Sequence, residues 1–70
     1  MMPLTMAKTG ETSNILRITG KDETKRHLED LGFVVGETVT VVAEMAGNLI
    51  INVKGARIAL DRALANRIMI

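Results

Sequence analysis

The sequence predicts a small, mainly β domain: a partly open barrel of five short strands, with one inserted helix and a late helical turn. Three observations carry this reading. Val- and Ile-rich runs of strand length fill the chain from Thr38 to Leu60. Only one stretch, from Asp22 to Leu31, places its apolar residues at helical spacing. Glycine-centred turn signals separate the elements and leave connections of a few residues.

Taken in order, Gly10-Glu11-Thr12-Ser13 reads as a turn into a first strand, Asn14 to Ile18. There Leu16 and Ile18 alternate with Arg17, the pattern of a strand with one buried face. Thr19-Gly20 closes it. The helix follows, over about 22–31, with Thr24, Leu28 and Leu31 on its inner face and Asp22 placed to act as N-cap. Its acidic start matches the helix dipole. Gly32 falls where a left-handed residue ends a helix, and Phe33 where the accompanying apolar contact returns to Leu28. Gly36 supplies a second turn.

The period then changes to β. Strands are expected over Thr38 to Glu44 and Leu49 to Val53, with a turn at Gly47-Asn48 between them. Lys54-Gly55 is a two-residue hairpin connection into Ala56 to Leu60. Asp61 can cap a single helical turn over about 62–65, ended by Asn66, and Arg67-Ile68-Met69-Ile70 reads as the closing strand. Closing the sheet protects edges that would otherwise aggregate in a chain rich in Val and Ile. Residues 1–70 read as a single domain, with no repeat, linker or low-complexity tract.

Composition narrows the function. Apolar residues make up 47% of the chain, enough to form a core and to exclude intrinsic disorder. The net charge of +1 lacks the basic excess that nucleic-acid binders usually carry, so electrostatics gives no support to that class and no nucleic-acid partner is expected. Phe33 is the only aromatic residue, which removes both base-stacking platforms and aromatic grooves for proline-rich peptides. Cysteine is absent, so disulfides, thiolate metal sites and a Cys nucleophile are excluded, and a cytoplasmic setting fits. The N-terminus has no signal-peptide pattern, and no apolar run approaches the roughly 20 residues of a membrane span, so no direct membrane insertion is expected.

No constellation carries catalysis. Ser13 is the sole serine and has no His or Asp at motif spacing, and the glycines form no phosphate loop. Metal binding rests on His27, with Glu23 four residues before it and Asp30 three after on one flank of the helix. Imidazole and carboxylates do accept Fe2+ and other divalent metals. One histidine without cysteine is nonetheless too few ligands for a tight site, and a solvated helix flank accounts for the three residues. The five methionines are scattered core filler. Arg17, Lys25, Arg26, Arg57, Arg62 and Arg67 are interleaved with acids and read as ordinary solvated positions. Val34 and Val35 stand out because an apolar turn between Gly32 and Gly36 either caps the barrel end or marks a contact surface. The partner-binding candidates are Val34, Val35, Arg57 and Arg62.

The stretch from Arg26 to Val39 (Arg26-His27-Leu28-Glu29-Asp30-Leu31-Gly32-Phe33-Val34-Val35-Gly36-Glu37-Thr38-Val39) resembles the helix–Leu-Gly–turn–Gly–strand signature of the FeoA family. Gly10-Glu11 and Ile15 to Gly20 fit its opening pattern. Gly55, Ile58-Ala59-Leu60-Asp61-Arg62, Ala65 and Ile68 fit its end, so the resemblance covers about Leu4 to Ile70. Two departures are a missing proline at Gly47-Asn48-Leu49 and Ala56 where an aromatic often follows the glycine. The resemblance implies an SH3-like barrel. It also implies a non-enzymatic, cytoplasmic accessory role in bacterial ferrous iron uptake, with the FeoB membrane GTPase and iron transporter as partner. A monomer or weak oligomer is expected. Two further readings are a free-standing transition-metal sensor or carrier, and a small-barrel nucleic-acid-binding module suggested by fold analogy alone.

Overall fold

The computed structural model describes residues 1–70. After a 3-10 turn at Leu4–Met6, the elements are β1 (Thr12–Asn14), β2 (Arg17–Ile18), α1 (Asp22–Asp30), β3 (Thr38–Met45), β4 (Asn48–Val53), β5 (Ala56–Asp61), α2 (Arg62–Ala65) and β6 (Ile68–Met69). The expected mainly β architecture with one helix and a late helical turn is what forms, with six short strands instead of five.

A four-stranded antiparallel sheet runs β1-β3-β4-β5, and a two-stranded sheet pairs β2 with β6. The predicted first strand is therefore divided between two partners. Ile15 is the hinge of that change. Its amide donates to the Glu37 carbonyl at 2.9 Å and its carbonyl accepts from the Gly36 amide at 2.8 Å, beside β3. One residue on, the Leu16 amide donates to the Met69 carbonyl at 2.8 Å, and the chain has joined β6. The handover breaks the period of two: Ile15 and Ile18 are both buried, whereas Leu16, expected on the buried face, is 56% exposed.

The β3–β4–β5 meander supplies the main wall. Val39, Val41, Leu49, Ile51, Val53 and Leu60 point inward at alternating positions and join one cluster of 13 buried residues. The register of β3 slips between Val41 and Ala43, leaving Val42 as an extra residue; such a bulge increases twist and helps a short sheet curl. The β3–β4 turn is Ala46-Gly47 rather than Gly47-Asn48, because Asn48 pairs with Met45 across the ladder. Both turn residues have positive φ (50° and 81°), as do Lys54 and Gly55 (50° and 75°) at the β4–β5 turn. These are type I′ turns, whose twist matches that of the flanking strands.

Helix α1 begins at Asp22, with Lys21 in the N-cap position and no side-chain cap, so Asp22 contributes its charge to the first turn rather than capping. The other end is as expected. Leu31 is the C-cap, the Gly32 amide donates to Glu29, and the Phe33 amide donates to Leu28 at 2.9 Å, a complete Schellman motif. Gly32 holds the φ of +106° that this requires, and Leu28 and Phe33 are both fully buried. At α2, the Asp61 carboxylate accepts from the Leu64 amide at 2.8 Å, the predicted cap. Leu4, from the N-terminal turn, also lies in the core, and Met2 and Ile70 exchange two backbone hydrogen bonds that close the seam beside β6.

Candidate functional site

The handover at Ile15 shapes the surface. Because Ile15 grips Gly36 and Glu37, the Val34–Val35 turn is held against the strand beside Leu16. Leu16 cannot enter the core, since its neighbour Ile15 already does, and so it projects outward. Val35 is 65% exposed, and Val34 is half-buried beneath the turn. The two apolar surface residues border a groove of about 340 Å³ between the β2 edge and α1. Its remaining lining is Arg17 and Ile18 from β2, with Lys25 and Glu29 from α1.

Helical geometry puts Lys25 and Glu29 one turn apart on the same face. Yet the chain contains only two ion pairs, Lys54–Glu37 at 3.8 Å and Arg62–Glu44 at 3.1 Å. Arg17, Lys25 and Glu29 take part in neither, nor in any side-chain hydrogen bond. The groove thus presents two apolar rims, the nearly buried Ile18, two cations and one carboxylate, with all three charges free of intramolecular partners.

The structure separates the other sequence candidates from this groove. Arg57 on β5 donates from Nε to Asn52 Oδ1 at 3.3 Å across the β4–β5 ladder, and Arg62 is engaged by Glu44. His27, Glu23 and Asp30 are all exposed on α1, and no three His, Cys, Asp or Glu side chains converge into a metal-holding group anywhere in the chain. Leu16 and Glu29 were not legible as surface-site residues. The one available signal was the pair Ile15-Leu16, two adjacent apolar residues of which a strand can bury only one. No helix is long and apolar enough to cross a membrane.

A protein-family model described as the FeoA domain matches residues 2–70. The chain belongs to the FeoA family. FeoA proteins are non-enzymatic accessory proteins of ferrous iron transport with an SH3-like fold. A relative from Methanocaldococcus jannaschii, described as an Fe(2+) transport protein A, is 34% identical over all of this chain and 85% of its own length. Among solved structures, a crystal structure of an iron uptake regulatory protein FeoA is 31% identical with a TM-score of 0.88, covering 96% of this chain and 89% of that one. The Stenotrophomonas maltophilia FeoA, an SH3 domain protein in complex with zinc, is 28% identical with a TM-score of 0.85, covering 99% and 88%. The FeoA match spans both sheets and both helices, so the barrel and its Gly32–Gly36 turn belong to the family fold.

Proposed function

We propose that this FeoA-family protein is a cytoplasmic accessory of ferrous iron uptake that binds the cytosolic part of a FeoB-type membrane GTPase and iron transporter. The observation that carries the reading is the FeoA match over residues 2–70, on a chain whose surface offers a contact groove and no catalytic constellation. The Fe(2+) transport description of the M. jannaschii relative supports the same process. Regulation by docking requires an exposed, shaped patch and no chemistry, which is what the Leu16–Val35 region provides. Val34 and Val35 belong to the contact surface on this reading, and Arg57 and Arg62 lie outside its centre.

The direct test is a titration of isotope-labelled protein with the cytosolic domain of the cognate transporter. Amide and methyl shifts that saturate are the expected result. Unperturbed spectra at millimolar concentrations of the domain would remove the FeoB assignment.

A further inference from the structure

The geometry points to a specific occupant for the groove between β2 and α1: a short peptide segment of a partner protein carrying apolar side chains flanked by carboxylates. The inference rests on the reading of the protein as a docking accessory and deepens it by naming the surface and the chemistry of its ligand.

Three features define the occupant. First, Leu16 and Val35 are exposed and line the groove with the nearly buried Ile18, so an apolar side chain seated there removes Leu16 and Val35 from water. Second, Arg17 and Lys25 border the same space and neither forms an ion pair, and Lys25 is already half-buried against the protein. A carboxylate arriving there meets two unpaired donors, one of them a guanidinium suited to bidentate contact. Third, Glu29 stands one helical turn beyond Lys25, also unpaired. It repels a continuous polyanion, and with a net charge of only +1 and no ring in the groove it weighs against RNA and against an anionic lipid surface. The pattern of apolar rims, two cations and one anion is complementary to an acidic–apolar peptide with a backbone amide or a basic residue opposite Glu29. Arg57 and Arg62 lie outside this groove and already bond Asn52 and Glu44; in the groove, unpaired charges of both signs lie beside exposed apolar side chains.

The test uses the full chain, isotope-labelled, with two probes. One is the cytosolic domain of the cognate FeoB-type transporter. The other is an N-acetylated Asp-Leu-Glu-Leu-Asp amide, with its Lys-Leu-Lys-Leu-Lys counterpart as control. Methyl shifts at Leu16, Ile18 and Val35 are expected with the domain and the acidic peptide, and none with the basic peptide. The double variant Arg17→Glu/Lys25→Glu should bind about tenfold more weakly, since two favourable charge contacts become repulsive. Glu29→Lys should bind the acidic peptide more tightly, an opposite sign that a merely structural role does not produce. Salt of about 1 M, where the screening length falls to roughly 3 Å, should weaken binding of both probes.

Shifts centred on Arg57 and Arg62 would overturn the groove while leaving the transporter reading intact. So would unchanged affinity in the double variant, or equal binding of the basic peptide. Groove shifts that grow with the protein's own concentration and no probe would identify a second copy as the occupant and also overturn it. If the domain produces no shift, the transporter reading fails by itself and the acidic peptide decides the groove.

Discussion

The Gly36 amide donates to the Ile15 carbonyl at 2.8 Å, and this contact fixes the Val34–Val35 turn beside the strand that carries Leu16. Gly36 accepts the role because it sits at φ +91°, and a Cβ there would meet nothing within 4 Å. The demand is therefore on backbone conformation and not on space. Gly36→Ala should cost about 1–2 kcal/mol, the penalty of holding an L-residue in the left-handed region. Urea denaturation with an unchanged m-value checks it.

Ile15 and Leu16 form a paired test of which residue the strand buries. Ile15→Ala should destabilise the domain by about 2–5 kcal/mol, a large fraction of the stability of a chain of this size. Leu16→Ala should change stability by no more than about 0.5 kcal/mol, as exposed substitutions do. Thermal or chemical unfolding of the two variants side by side gives the answer, and a large loss at Leu16 would contradict its outward placement.

Ala46 occupies the first central position of a type I′ turn with φ 50°, where asparagine is preferred. Ala46→Asn should raise stability by about 0.5–1 kcal/mol by relieving that conformational cost. The position is exposed, so no packing change offsets the gain. Comparison of urea midpoints for the two proteins measures it.

The Asp61 carboxylate satisfies the Leu64 amide at the start of α2, whose last residue, Ala65, is fully buried. Asp61→Ala should cost about 1 kcal/mol. Asp61→Asn, which keeps the accepting oxygen, should lose much less. Equal losses in both variants would show that charge and not the hydrogen bond matters there.

His27 is exposed, and no triad of ligating side chains forms around it. An anaerobic Fe2+ titration of His27→Ala should therefore give the same affinity as the parent. A clear loss would restore the helix flank of Glu23, His27 and Asp30 as a metal site.

Local chemistry made much of the fold legible in advance. Gly32-Phe33 announced the Schellman motif, Lys54-Gly55 the hairpin and Asp61 the cap, because each depends on residues within a few positions of one another. The departures arise where a distant partner decides. Nothing local marks Ala46 as a left-handed residue, so the β3–β4 turn was expected one position late. Leu16 obeys the strand period from Ile18, but the exchange of β3 for β6 as partner turns it outward, and both of those strands lie far along the chain. The same limit applies to the groove. Val35 stood out as an apolar turn residue, and Arg17 and Lys25 as charges, yet their association exists only because Ile15 ties two remote segments together.

That exchange of partners also orders events in time. The β3–β4–β5 meander joins neighbours through two-residue turns, so its loop-closure cost is small and it can form early. The seam is different: Met2 must find Ile70, and Leu16 must find Met69, across almost the whole chain. Closing that ring is the slow, entropically expensive event, and the meander is the template on which it happens. Brief native-state openings should then unzip β2 and β6 first, exchanging the amides of Leu16 and Thr19 while the Ile51 amide remains protected.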